Sequence, residues 1–130
     1  MINSLEIGKY INNILANNED IKALKAKVYP LIADNDAKFP FLIYKRVGLT
    51  SQICKDGTFQ DDVTIEIKVV TDKYSVGVQL VKIVRSLLQR PYMQYEDFEI
   101  NDVTINFASE DFLDNAFIQT MQLTLKINQI

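Results

Sequence analysis

The chain has no histidine. That removes at once the commonest general base, the commonest metal ligand and the partner that activates a serine or cysteine nucleophile. It has one cysteine, Cys54, so no internal disulfide framework can form and a reducing compartment is expected. Glycine is scarce, and Gly8, Gly48, Gly57 and Gly77 are too scattered to form a phosphate-cradling loop. No apolar run reaches the roughly eighteen residues that a membrane-spanning helix needs, so no membrane association is expected. Basic residues are in the minority, 14 against 17 acidic ones, and the net charge of -3 argues against a grip on nucleic-acid phosphates. Direct sequence-specific nucleic-acid binding is therefore not expected. The opening segment, Met1 to Lys9, shows no basic stretch followed by an apolar core. No signal peptide is expected, and the product should stay in the cytoplasm where it is made.

What the chain does have is apolar substance. Hydrophobic residues make up 48% of its 130 residues and charged ones 24%, which excludes disorder and suits a single domain over residues 1–130. The stretch from Phe59 to Arg90 organises the rest. Val63, Ile65, Ile67 and Val69 alternate with Thr64, Glu66 and Lys68, the period of a half-buried strand. The period then lengthens. Val78, Val81, Val84, Leu87 and Leu88 recur at helical spacing, and Leu80 and Ile83 widen the stripe. Thr71 or Asp72 can cap this helix, and Pro91 stops it.

The remaining segments read as further strands and cover. Ser4 is a suitable N-cap for a first helix carrying Leu5, Tyr10, Ile11, Ile14 and Leu15 on one side, and Asn18 caps a short turn through Ile21 and Leu24. Lys27 to Ile32 is expected to be a short strand, placed at an edge because Pro30 lacks a ladder donor. Phe39 to Val47 is the next strand, with Phe41 and Ile43 on one face and Leu42 and Tyr44 on the other. Being apolar on both faces, it calls for cover on both. Gly48 to Thr58 reads as a long polar loop with a turn signal at Asp56-Gly57, joining two antiparallel strands. Tyr92 to Asp97 reads as an irregular link, Val103 to Phe107 as a strand, Ser109 to Asn115 as an acidic connection, and Phe117 to Ile127 as a long final strand. The sum is an α+β domain: a mostly antiparallel sheet of four to five strands with two helices on one face, in the order α-β-β-β-α-β-β.

Candidate chemistry is thin. Cys54 has Lys55 beside it, which can lower a thiol pKa, but no base is available to use the thiolate. Glu110, Asp111 and Asp114 lack the alternating ligands and central glycine of a calcium loop, so they read as a solvated turn. No catalysis, cofactor or metal is expected.

Several stretches in shared order resemble one family. They are Val28-Tyr29-Pro30 after an opening helix, the strand from Phe39 to Arg46 ending in Tyr44-Lys45-Arg46, and Lys55-Asp56-Gly57 before the strand from Val63. Asp72-Lys73-Tyr74 then opens a helix that ends Val84 to Leu88, and Val103-Thr104-Ile105 precedes an acidic turn and a last strand. In this order the chain resembles, over nearly its whole length, the tail-completion or tail-terminator proteins of long-tailed bacteriophages. It departs from them in having few basic residues after Leu88 and Ile100-Asn101-Asp102 in place of a glycine turn.

The resemblance implies a structural protein of a phage or prophage, made in the host cytoplasm and located in the virion at the head-tail joint. Such proteins form a six-fold ring that caps the tail tube, ends tail growth and offers the head-tail joining surface. The implied partners are further copies of itself, the tail tube protein and the head-tail connector protein. A ring interface is heterologous, so opposite charges such as Arg46 and Glu66 can set its register. The candidate subunit interface is Phe41, Tyr44, Arg46, Lys55, Asp56, Glu66 and Lys68. Cover for the second face of the strand at Phe41 to Tyr44 then comes either from a neighbouring subunit or from the chain's own loops. The alternative reading is a small α+β module that holds a peptide or small ligand between sheet and loop, as a monomer or dimer.

The reading of Cys54 as a thiol without chemistry is directly testable. Replacing Cys54 by Ser should leave the melting temperature and the assembly state unchanged. A well-folded Cys54→Ser protein that no longer assembles would show that the thiol has a role.

Overall fold

A computed structural model describes residues 4–90, 92–95 and 98–129. The alternating stretch forms β3 (Phe59–Thr71), with Val63, Ile65, Ile67 and Val69 each at most 1% exposed and Thr64, Glu66 and Lys68 half-buried on the opposite face. A strand pattern of this kind requires a neighbour of matching pattern, and β6 (Ala116–Gln129) supplies it. Val63 pairs with Leu125, Ile65 with Leu123 and Ile67 with Met121, antiparallel. The inward apolar rows of the two strands therefore coincide.

Among the described residues six strands form one sheet: β1 (Lys27–Pro30), β2 (Phe41–Ile53), β3, β4 (Met93–Tyr95), β5 (Phe98–Leu113) and β6. Their order is β1-β2-β3-β6-β5-β4. The apolar face is covered by α1 (Ile7–Ala16), which follows a 3-10 turn at Ser4–Glu6, and by α3 (Tyr74–Leu88), with a short α2 (Glu19–Ala23) between α1 and β1. Helix α1 buries Ile7, Tyr10, Ile11 and Leu15. Tyr10 meets Phe98 edge-to-face at 6.2 Å, and its hydroxyl donates to Met93 Sδ at 3.0 Å. Burial pushes the Tyr10 phenol up to about 12, against the pull of Arg90. Helix α3 buries Gly77, Leu80, Val84 and Leu88. Gly77 permits a close approach, since a Cβ there would lie 3.1 Å from Thr71 Oγ1 and 3.6 Å from Gln119 Cγ.

This architecture corrects the expected fold class. The expectation was a mostly antiparallel sheet of four to five strands with two helices. The chain instead folds mostly as sheet, six strands in a curled, mixed half-barrel with few helices. The mixture arises at the edge, where β1 runs parallel to β2 with Val28 opposite Leu42. Side-chain alternation is the same in either direction, so the sequence carries no signal for that choice. The edge position expected from Pro30 is observed. Register shifts at Arg46/Gly48, Ile100/Asp102 and Ile105/Phe107 add local twist and support the curl.

The two segments read as loops are mostly strand. Strand β2 continues to Ile53, leaving only residues 54–58 for the turn, and it pairs antiparallel with β3 as expected. Strand β5 runs to Leu113 and returns through Asp114 and Asn115, whose φ values of 53° and 61° give a two-residue hairpin turn. Asp and Asn tolerate that left-handed backbone better than other side chains. At roughly 3.3 Å per residue, β5 is about 50 Å long, and its distal half reaches past the helical cover.

The capping expectations divide. Asn18 Oδ1 accepts from the amides of Asp20 and Ile21, both at 3.0 Å. Helix α3 starts later than expected, with Lys73 in the capping position and no side-chain cap. Thr71 Oγ1 instead donates to the Lys73 carbonyl at 2.8 Å, fixing the turn into the helix. Ser4 is buried, but no side-chain cap bonds the start of α1. Pro91, expected to stop α3, and residues 96 and 97 of the expected link lie outside the described residues; residues 93–95 of that link form β4.

Val84, at 0% exposure, faces the sheet as its place in the stripe requires, while Val81 is half-buried at the stripe's flank. Val84→Asp would bury a carboxylate with no partner and should cost several kcal/mol. Thermal and urea melts check this. A soluble Val84→Asp protein of near-normal stability would mean that α3 does not pack as described.

Candidate assembly surface

The face of the sheet away from the helices carries ordered polar rows, because β2, β3, β6 and β5 present every second residue there. Glu66 sits at the centre of one row. Its carboxylate lies 4.0 Å from Lys45 Nζ and 3.9 Å from Lys68 Nζ, and accepts from Gln122 Nε2 at 3.0 Å. One row along, the hydroxyls of Thr64 and Thr124 are 3.1 Å apart, and Asn106 Nδ2 donates to Thr124 Oγ1 at 2.6 Å. Toward the β1 edge the face turns aromatic. Phe41 is stacked with Phe39 at 5.8 Å and meets Tyr29 edge-to-face at 6.1 Å. The chain itself therefore supplies part of the second cover that the strand at Phe41 to Tyr44 requires.

The candidate interface residues divide among three places. Phe41, Glu66 and Lys68 lie on the polar face, where Glu66 and Lys68 meet. Tyr44 and Arg46 lie on the helical face, by the same alternation that sets Lys45 on the other. Arg46 Nη1 donates to the Leu5 carbonyl at 2.6 Å, so Arg46 and Glu66 are not brought together within one chain. Burial raises the Tyr44 phenol pKa. Lys55 and Asp56 lie exposed in the turn between β2 and β3. There Asp56 Oδ1 accepts from the Thr58 hydroxyl at 2.7 Å and the Thr58 amide at 3.1 Å, which holds its carboxyl below the usual range. Gly57 has a φ of 85°, the left-handed backbone that the Asp-Gly signal calls for. Cys54 is half-buried at the base of this turn.

Three surfaces escape the sequence reading. First, strand edges are left open among the described residues. Strand β1 covers β2 only at Phe41–Tyr44, and β4 covers β5 only at Phe98–Ile100, so residues 45–53 and 102–113 have no outer neighbour. Open edges are templates for strand pairing, and these two lie on opposite sides of the sheet. Second, the tip of the β5–β6 hairpin is apolar and acidic together. Phe112 and Leu113 are 57% and 58% exposed, flanked by Glu110, Asp111 and Asp114. Phe112 leans on Phe117 at 4.8 Å, and Phe117 meets Tyr74 at 5.8 Å. Glu110 Oε2 accepts from Tyr74 Oη at 2.8 Å and from Gln119 Nε2 at 2.9 Å. Third, a cleft of about 290 Å³ opens between the start of α1 and β2, with Leu5, Ile7, Leu31 and Tyr44 inside and Lys45 and Arg46 beside them. Among the described residues no three His, Cys, Asp or Glu side chains are grouped to hold a metal ion, and no helix is long and apolar enough to cross a membrane.

No protein-family model and no curated protein matches the sequence. Among solved structures, the fold is similar to that of a chain from the virion of a native gene transfer agent particle. The TM-score is 0.75 and the identity 10%, with 91% of each chain covered. At that identity the likeness shows a common fold alone.

The Glu110 clasp makes a pH prediction. The hydrogen bonds from Gln119 and then Tyr74 lower the Glu110 pKa, and the same bond raises that of Tyr74. A depressed carboxyl contributes stability above its unfolded pKa and loses it as pH falls through the folded value. A raised phenol contributes below its unfolded pKa and loses it as pH rises through the folded value. The clasp should therefore hold across neutral pH and release at both extremes. An NMR titration of the Glu110 carboxyl should give a value below the usual one, moving up toward it in Tyr74→Phe; an identical value in both proteins would dismiss the clasp.

Proposed function

We propose that the protein is a structural subunit of a phage-type virion that forms a ring on the end of the tail tube, ending tail growth and offering the head-tail joining surface. The observation that carries this reading is the common fold with a virion chain across 91% of both chains. The open strand edges on opposite sides of one sheet add support, since a ring subunit must present different surfaces to its two neighbours. The proposed partners are further copies of the chain, in a ring of six, together with the tail tube protein and the head-tail connector protein, in the virion. The role is non-enzymatic. Phe41, Tyr44, Arg46, Lys55, Asp56, Glu66 and Lys68 are proposed to contribute to the subunit interface from the polar face, the cleft and the turn between β2 and β3.

Light scattering at several concentrations, alone and with the tail tube protein, tests the reading. The expected result is a mass of six subunits in at least one condition. A protein that stays monomeric in all of them would sink the ring and leave the binding-module reading in its place.

A further inference from the structure

We propose that the β5–β6 hairpin tip of one copy docks into the cleft between α1 and β2 of a second copy. The inference rests on the ring reading and names the surfaces that meet in it. The tip offers two large side chains held out in water, Phe112 and Leu113, on a hairpin whose two-residue turn and paired strands keep it extended. Phe112 rests partly on Phe117, yet both tip side chains keep more than half of their surface in water. The cleft offers the complement. Its volume is about 290 Å³, and its lining includes Leu5, Ile7, Leu31 and Tyr44. Leu31 is itself 71% exposed there.

Charge agrees with shape. The tip carries Glu110, Asp111 and Asp114, while Arg46 lines the cleft. Two copies presenting tip to tip, or cleft to cleft, would oppose like charges, so the pairing is directional. Position agrees as well. The tip belongs to the strand whose outer edge is open on one side of the sheet, and the cleft adjoins β2, whose outer edge is open on the other. A contact that joins opposite sides of successive copies is heterologous, the kind that closes into a ring or runs on as a filament.

The test uses a tip variant, Phe112→Ser with Leu113→Ser, and a cleft variant, Leu31→Glu, in the condition where the wild type assembles. Phe112, Leu113 and Leu31 are each more than half exposed, so both variants should stay folded, the tip variant losing only the Phe112–Phe117 contact. Each alone should fall to the monomer mass. Mixed in equal amounts they should form a one-to-one pair and nothing larger, because only one working tip and one working cleft remain. As a check independent of mass, Leu113→Cys with Leu31→Cys in a Cys54→Ser background should give a ladder of disulfide-linked chains under mild oxidation. Wild-type rings together with a tip variant that also forms rings, or with no ladder, would overturn the docking while leaving the ring standing. A wild type monomeric in every condition would remove both.

Discussion

The pairing of β3 with β6 is the constraint on which the rest depends. Val63, Ile65 and Ile67 of one strand lie beside Leu125, Leu123 and Met121 of the other, all at most 2% exposed. A slip of one residue in this pair would turn the apolar row of one strand to the polar face and carry either Glu66 and Lys68 or Lys126 under the helices. Burying those charges without partners would cost far more than a domain of this size has in total. The register is thus decided by burial, and α3 locks it from above. Gly77 lets that helix settle against Thr71 and Gln119, one residue from each of the two strands. The helical cover and the sheet register are in this sense one feature.

What the sequence discloses is set by where water is excluded. The alternation in β3 and the stripe of α3 were legible because each element has a wet side and a dry side. Residues 48–53 and 109–113 have no such contrast, being largely exposed on both faces, so their side chains report a loop while their backbones pair. Hydrophobic periodicity measures burial, and strand pairing beyond the core leaves little trace in it. The hairpin turn at Asp114-Asn115 is hidden for a related reason: both residues sit in an acidic run that reads as a solvated connection. The lateral direction of β1 was beyond reach, since parallel and antiparallel neighbours accept the same residues.

The candidate surface was legible only in pieces. Strand alternation already sets Lys45 with Glu66 and sends Arg46 to the helical face, as the structure shows through the Arg46 bond to Leu5. The Asp56-Gly57 signal was legible because Gly57 uses a backbone that other residues avoid. The cleft could not be foreseen. It joins the start of α1 to β2 across some forty positions of sequence, and no local pattern relates Leu5 or Ile7 to Arg46.

This division has a consequence for how such a chain can both fold and assemble. The residues that hold the monomer together are inside, in β3, β6, α1 and α3, whereas the open edges, the hairpin tip and the cleft mouth are largely outside that core. Sites so separated change stability nearly independently, so interface residues can vary without unfolding the subunit. The same exposure is a hazard, because long open edges with apolar side chains invite indiscriminate pairing. Charge limits it. Glu110, Asp111 and Asp114 crowd the tip of the β5 edge, and Lys45 and Arg46 open the exposed part of β2. Like edges then repel and unlike edges attract. An open edge marked with one sign of charge excludes most partners while remaining available to the complementary edge of another copy.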